Sequence, residues 1–199
     1  MSFRLGLTGS IGMGKSTASG IFRELGHPVW DADAAVHQLY APGGAAVDPV
    51  AKAFPTALDA AGGIDRAALK AELAKDANAL QRLEAIVHPL VWADRAGFIA
   101  AHADAPLVVL DIPLLYEGGA EAQMDGVAVV SAPAEIQRAR VLARPGMTEA
   151  QFDFILSRQM PDAEKRTRAD WIIPSLSLET ARTAIMDICA EIMAKRSHA

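Results

Sequence analysis

An eight-residue stretch near the N-terminus constrains the fold more than any other feature of this sequence. Residues 9–16 read GSIGMGKS and match the pattern G-x-x-x-x-G-K-[ST] in full. A short apolar run at residues 3–7 precedes the stretch, and residues 16–25 carry apolar side chains at helical spacing. A strand, a glycine-rich turn and a helix in this order predict the first unit of a parallel sheet covered by helices.

The composition of this turn predicts a cradle for phosphate groups. Glycine lets the backbone wrap around an anion so that successive N–H groups point inward, and the helix that follows adds the positive end of its dipole. Lys15 would bridge the β- and γ-phosphates, the Ser16 hydroxyl would ligate Mg²⁺, and Thr17 would donate to an α-phosphate oxygen. The ATP-binding residues that this pattern predicts are Gly12, Met13, Gly14, Lys15, Ser16 and Thr17.

The rest of the chain indicates one α/β core interrupted by a helical insertion. Further strand-like runs occur at residues 27–31, 107–111, 126–130 and 171–173. Helices are expected at residues 65–74, 77–87, 134–143, 148–159 and 178–194. Thr148 and Gln151 form a capping-box pattern at the start of one of them. Because residues 34–103 are alanine-rich and contain no strand-like run, we predict a nucleotide-binding core of residues 1–33 and 104–199.

Composition narrows the class of protein further. A net charge of −5 and a pI of about 5.5 argue against a nucleic-acid-binding protein, which normally presents a basic face. The sequence shows neither an apolar run long enough for a membrane span nor the apolar stretch of a signal peptide. Its one cysteine, Cys189, has no partner for an internal disulfide. We therefore expect a soluble cytoplasmic protein with no membrane or nucleic-acid partner, either a monomer or a weak homo-oligomer.

Carboxylates follow two of the predicted strands at the edge where ligands bind in such sheets. Asp31 and Asp33 come at the end of the second strand, where a carboxylate can accept the proton of a substrate hydroxyl that attacks the γ-phosphate. Of the two, Asp33 lies deeper in the loop and is the favoured base. An equally weighted alternative is a helix cap. Asp111 closes the third strand, where it would hold Mg²⁺ through water or simply precede a turn.

Several separated motifs resemble those of the dephospho-CoA kinase family. They are residues 8–17, Asp31-Ala32-Asp33, Pro42-Gly43, Asp65-Arg66, His88-Pro89, residues 111–117, residues 137–144, Lys165-Arg166 and Ala169-Asp170. The motifs follow the family's order over about residues 3–175. A nucleoside monophosphate kinase or a sugar-acid kinase would share the phosphate loop of residues 9–16. Neither class would account for the motifs at residues 88–89 and 111–117. A GTPase would need the tetrapeptide Asn-Lys-x-Asp, which this sequence lacks.

This resemblance implies both a fold and a reaction. The fold would be a P-loop, nucleotide-kinase-like, three-layer α/β sandwich with a five-stranded parallel sheet of order 2-3-1-4-5. A helical subdomain at residues 34–103 would bind the acceptor, and a mobile lid would span about residues 142–165. The reaction would transfer the γ-phosphate of ATP, with Mg²⁺ as cofactor, to the ribose 3′-hydroxyl of dephospho-CoA. The product would be CoA, at the last step of coenzyme A biosynthesis.

The resemblance also implies catalytic roles for individual residues. Asp33 would be the base and Lys15 would act on the transferred phosphate. Arg140 would be the lid arginine that neutralises the charge developing on the phosphoryl group, and Arg144 would support the same phosphates. The i, i+4 spacing of the two arginines places them on one helix face, although a solvated face is the alternative.

For the acceptor, the resemblance implies contacts from six residues. These are Thr8, Asp33, His88, Pro113, Leu114 and Leu115. For His88 a buried structural histidine is about as well supported, and for Leu115 a place in the core. Glu117 would orient a basic partner.

Two positions depart from the family pattern. Pro145 stands where the family usually has an aspartate after the lid arginine. Pro174 and Ser175 follow the last strand, where many members carry an asparagine near the expected adenine site. ATP contacts there would run through backbone groups.

Overall fold

The computed structural model describes residues 2–197, which contain nine α-helices and two short 3-10 helices, Pro55–Ala57 and Ala120–Gln123. The α-helices are α1 (Lys15–Glu24), α2 (Ala32–Tyr40), α3 (Val47–Ala53), α4 (Arg66–Leu73), α5 (Ala79–Ala101), α6 (Ala134–Leu142), α7 (Glu149–Leu156), α8 (Asp162–Arg168) and α9 (Leu178–Ser197). The chain divides into two compact units, of which the second is Asp31–Ala101 and the first comprises the remaining described residues. Within residues 2–197, none of these helices combines the length and apolar character that a membrane span requires.

A five-stranded parallel sheet is the centre of the first unit. The strands are β1 (Phe3–Thr8), β2 (Val29–Asp31), β3 (Leu107–Asp111), β4 (Gly126–Ser131) and β5 (Trp171–Pro174). Their order is β2-β3-β1-β4-β5, which confirms the predicted topology. In register, Leu5 of β1 lies between Val109 of β3 and Gly126 of β4. The C-terminal ends of β1 and β3 therefore come together beside the phosphate loop.

Side chains of alternate residues in the sheet contribute to two different apolar clusters. Ala128 and Val130 of β4 pack with α1 and α9, whereas Val127 and Val129 pack with Leu115. Every residue of β3 and β4 is buried, as expected for central parallel strands covered on both faces. These layers explain why both strands read as nearly continuous apolar runs.

The second unit is helical, and its core gathers apolar side chains from α2 to α5. The buried members are Leu39, Tyr40, Ala46, Val47, Val50, Phe54, Ala57, Ile64, Leu69, Ala79, Leu83 and Val87. Helix α5 packs against α2, α3 and α4 and runs without interruption through Pro89. The prediction that a helix ends near His88 is therefore wrong. Proline removes one backbone donor, but the packing of α5 against α2, α3 and α4 keeps the chain helical.

Candidate active site

The phosphate loop connects β1 to α1 through a backbone that strongly favours glycine at two points. Gly12 has φ +77° and Gly14 has φ +92°, both in the left-handed region. A Cβ at Gly12 would lie 2.4 Å from Val141 Cγ2, and a Cβ at Gly14 would lie 2.2 Å from Ser175 Oγ. The loop is therefore wrapped closely by α6 and by the segment after β5.

Side chains from two distant segments hold the backbone of one residue of the loop. The Ile11 N–H donates to Gln159 Oε1 at 3.0 Å, and the Ile11 carbonyl accepts from Gln137 Nε2 at 2.7 Å. The Ala132 N–H adds a contact to Met13 Sδ at 3.1 Å. These three bonds define the path of the loop around the position that the pattern predicts for phosphate.

Asp111 connects the end of β3 to the first two turns of α1. Its two carboxylate oxygens accept from the Lys15 ammonium and from the Ser19 hydroxyl. Asp111 is 1% exposed, and a carboxylate buried to this degree requires partners of this kind. Asp111 is therefore more than an ordinary aspartate before a turn, because it makes a specific contact with the lysine of the loop.

The arrangement is compatible with Mg²⁺ bound together with phosphate groups. Ser16 and Thr17 are exposed in the first turn of α1, near the end of the strand that carries Asp111. Among residues 2–197 there is no group of three or more His, Cys, Asp or Glu side chains suited to hold a metal. Magnesium usually takes one or two protein oxygens and completes its shell with substrate phosphates and water. Ser16 and Asp111 fit that kind of site.

The predicted lid arginines do not share a helix face. Helix α6 ends at Leu142, so Arg144 lies in the turn that follows, where it is exposed. The Arg140 guanidinium is half-buried and donates to Ser175 Oγ at 3.1 Å and to the Ser175 carbonyl at 2.6 Å. The i, i+4 argument does not hold, because α6 ends one residue before the predicted end at residue 143 and Arg144 lies outside the helix.

The predicted acceptor residues of the first unit differ in their accessibility. Thr8 is fully buried, and its hydroxyl donates to the Pro113 carbonyl at 3.0 Å. Leu114 is 49% exposed, whereas Leu115 is fully buried against Tyr116. Thr8 thus connects β1 to the loop after β3. Leu115 is a core residue, which was the alternative to acceptor binding for this position.

The basic partner of Glu117 is Lys165. The Lys165 side chain is fully buried, with its ammonium 2.8 Å from Glu117 Oε1, and the same oxygen accepts from the Met160 N–H at 2.8 Å. Burial alone would raise the pKa of Glu117, but the hydrogen bonds from Lys165 and Met160 outweigh that effect, so the pKa lies below its ordinary value. This pair connects the loop after β3 to α8.

Within the second unit, the two neighbouring aspartates have separate roles. Asp31 is the N-cap of α2, and its carboxylate accepts from the Ala34 N–H at 3.0 Å. Asp33 lies in the first turn of the same helix and is exposed. The prediction that Asp33 lies in a loop is wrong because α2 begins at Ala32. The cap belongs to Asp31, which leaves the Asp33 carboxylate accessible to a substrate.

His88 lies on the surface of α5, so the alternative of a buried structural histidine is wrong. The side chain is exposed, and its ring centroid lies 6.0 Å from that of Trp92, one helical turn further on. Trp92 is itself 56% exposed, which is unusual for so large an apolar side chain.

Several residues around the loop were not singled out as site residues from the sequence. Ser19 follows Lys15 by four positions on α1, and that spacing alone would have placed the two side chains on one face. Gln159 carries no comparable local signal, because its partner Ile11 lies far away along the chain.

Comparison with known proteins identifies the family. The family model for dephospho-CoA kinase matches residues 3–178. A dephospho-CoA kinase from Cereibacter sphaeroides is 62% identical over 190 residues, covering 96% of this chain and 95% of the relative. A dephospho-CoA kinase from Ruegeria pomeroyi is 55% identical over 201 residues and covers the whole of both chains.

Solved structures show the same architecture. The crystal structure of TT1252 from Thermus thermophilus superimposes with a TM-score of 0.84 at 35% identity, covering 96% of this chain and 97% of that one. Dephospho-CoA kinase from Campylobacter jejuni gives a TM-score of 0.68 at 24% identity over 96% and 97% of the two chains, a likeness of fold. With the phosphate loop at the end of β1 and the family match across nearly the whole length, this chain belongs to the dephospho-CoA kinase family.

Proposed function

We propose that this chain binds ATP at its phosphate loop and transfers the γ-phosphate to the ribose 3′-hydroxyl of dephospho-CoA, yielding CoA and ADP. The observation that carries this proposal is the loop itself, wrapped at the end of β1 with its lysine paired to Asp111, in a chain that matches the family from residue 3 to residue 178. Phosphoryl transfer needs positioned cations and little covalent chemistry from the protein.

The first unit supplies the groups that bind the nucleotide. Backbone N–H groups from Gly12 to Thr17 surround the phosphates, and the N-terminus of α1 adds its partial positive charge. Lys15 exchanges part of its interaction with Asp111 for contacts with the β- and γ-phosphate oxygens. Mg²⁺, held by the Ser16 hydroxyl and by Asp111 through water, would neutralise negative charge on those phosphates when bound.

The proposed base is Asp33. The exposed Asp33 carboxylate accepts the proton of the 3′-hydroxyl, whose oxygen then bonds to the γ-phosphorus as the bond to the β-phosphate oxygen breaks. Arg140 neutralises the charge that spreads over the transferred phosphoryl oxygens. Arg144, exposed in the turn after α6, supports the same phosphates.

The remaining assignments concern acceptor binding, the lid, the cellular location and the oligomeric state. His88 and Leu114 are exposed and free to contact dephospho-CoA, while Thr8 and Pro113 shape the loop that carries Leu114. Leu115 acts from the core beneath that loop. The lid at about residues 142–165, the cytoplasmic location and the monomeric or weakly self-associating state stay predictions from the sequence.

A matched pair of aspartate variants tests the base. Asp33→Asn keeps the size of the side chain but removes its ability to accept the proton, so kcat should fall by about 10² to 10⁴ while ATP affinity is unchanged. Asp31→Asn is the control, because asparagine caps a helix as well as aspartate does. Turnover at the wild-type rate in Asp33→Asn would refute the assignment.

A further inference from the structure

Ser175 makes two hydrogen bonds with the arginine that the proposed function places at the transferred phosphate. Its hydroxyl oxygen accepts from Arg140 Nη1 at 3.1 Å, and its carbonyl accepts from Arg140 Nη2 at 2.6 Å. The planar guanidinium is thus held at two points by one residue, which restricts both its position and its orientation. Ser175 is 9% exposed, so these bonds are largely shielded from water.

The same serine touches the phosphate loop. A Cβ built on Gly14 would lie 2.2 Å from Ser175 Oγ and 3.7 Å from Arg140 Nη1. Gly14 is the N-cap of α1 and directly precedes Lys15. The hydroxyl therefore occupies the space beside the loop that a side chain at Gly14 would take, and it brings the guanidinium to the same place.

The backbone of Ser175 is itself fixed by the sheet. Its N–H donates to the Ser131 carbonyl at 2.8 Å, directly after the register pair of Ser131 with Pro174. The serine hydroxyl is therefore presented by a rigid strand end and not by a freely moving loop. Ser175 also belongs to one of the two sites, Pro174-Ser175, at which the sequence departs from the family pattern.

From these contacts we infer that Ser175 is a positioning residue, which holds Arg140 beside Gly14 so that its charge already faces the phosphates when ATP binds. The inference rests on the proposed role of Arg140. An arginine side chain free in solution loses much rotamer freedom when it engages a phosphate, whereas one held in place beforehand loses little. Ser175 thus contributes to turnover through Arg140 and not through a contact of its own with the nucleotide.

A double-mutant cycle with Arg140→Lys tests this inference. We expect Ser175→Ala to lower kcat/KM for ATP about threefold to tenfold, because one of the two guanidinium bonds is lost. Arg140→Lys should lower the same quantity by roughly a hundredfold, since lysine cannot reproduce the planar two-point contact. Because Ser175 acts through Arg140, the double variant should match Arg140→Lys alone.

Other results would overturn the inference in distinguishable ways. If Ser175→Ala has no effect, or lowers kcat/KM equally in the wild-type and Arg140→Lys backgrounds, Ser175 does not act through Arg140, and the role of Arg140 stands. If Arg140→Lys retains wild-type kcat/KM, the proposed role of Arg140 fails and this inference fails with it.

Ser177→Ala serves as a control for a purely structural effect. Ser177 lies two residues further on, and its hydroxyl accepts from the Thr180 N–H at 3.1 Å at the start of α9. Its removal should lower the melting temperature while kcat/KM for ATP stays at the wild-type value. A fall in kcat/KM for Ser177→Ala as large as that for Ser175→Ala would show that general loosening of this segment, and not the contact with Arg140, is responsible.

Discussion

Lys15 and Asp111 form an ion pair between the phosphate loop and the end of β3. Ser19, one turn after Lys15, donates to the other oxygen of the same carboxylate. The Lys15 side chain is 16% exposed and that of Asp111 is 2% exposed, so the ion pair is largely shielded from water. Asp111 thus restricts the orientation of the lysine of the loop.

Removal of the Asp111 charge should impair turnover. Asp111→Asn leaves Lys15 without its anionic partner and removes the carboxylate proposed to hold Mg²⁺, so we expect kcat to fall by about 10² and the Mg²⁺ concentration for half-maximal rate to rise. Lys15→Ala should abolish measurable turnover. Ser19→Ala, which retains the ion pair, is the milder comparison, and steady-state kinetics at varied Mg²⁺ separates the three. Wild-type kinetics in Asp111→Asn would contradict the role given to this carboxylate.

The glutamine contacts to Ile11 should control the affinity for ATP. Gln137→Leu leaves the Ile11 carbonyl without its donor, and we expect ATP affinity to fall by about tenfold with a loss of roughly 1–3 kcal/mol in the free energy of unfolding. Calorimetric titration with ATP and urea unfolding measure the two effects. Gln81→Leu on the exposed face of α5 is the matched control. Unchanged ATP affinity in Gln137→Leu would show that the loop keeps its path without this bond.

Two glycine-to-alanine substitutions should have opposite effects. Gly12→Ala forces a side chain into a left-handed backbone and against Val141, so both stability and ATP binding should decrease. Gly20→Ala lies inside α1, and apart from its chain neighbours and the backbone of its own helix no heavy atom lies within 4 Å of the new Cβ, so it should raise the free energy of unfolding by up to about 1 kcal/mol. Thermal unfolding with and without ATP measures both. A stable, ATP-binding Gly12→Ala variant would be inconsistent with this geometry.

The buried pair of Glu117 and Lys165 should give stability that depends on pH. Because its pKa lies below the ordinary value of 4.5, Glu117 stabilises the fold above pH 4.5, and this contribution is lost as pH falls through the folded-state pKa. Glu117→Gln should therefore cost about 3 kcal/mol at neutral pH, since the Lys165 charge stays buried without its partner. The difference from wild type should shrink as the medium is acidified.

Urea unfolding at a series of pH values measures this effect. Glu24→Gln is the control, because its ion pair with Arg182 lies on the surface, where such pairs contribute less than about 1 kcal/mol. A cost for Glu117→Gln that is equally small, or one that does not change with pH, would contradict the assignment of Glu117 as the partner of the buried lysine.

Features encoded by neighbouring residues could be predicted from the sequence. The strand at Leu107–Asp111 has the predicted bounds, since an apolar run between turns leaves little choice of ends. Thr148 and Gln151 form the expected capping box at the start of α7. The phosphate loop was predicted because its glycines and lysine are contiguous.

Features that depend on distant packing could not be predicted in this way. The path of α5 through Pro89 is set by α2, α3 and α4, and no local rule reports those contacts. The bond between Ile11 and Gln159 joins residues 148 positions apart. The end of α6 at Leu142 leaves Arg144 outside the helix, and it differs by one residue from the predicted end, which propensities do not resolve.

An ADP-release assay with Mg-ATP and a panel of acceptors tests the central claim most directly. The panel should contain dephospho-CoA, AMP, adenosine and shikimate at equal concentrations, with products identified by mass. The proposed function predicts ADP release with dephospho-CoA alone and a product of the mass of CoA. If dephospho-CoA is inert while another acceptor is phosphorylated, the assignment of the acceptor is contradicted.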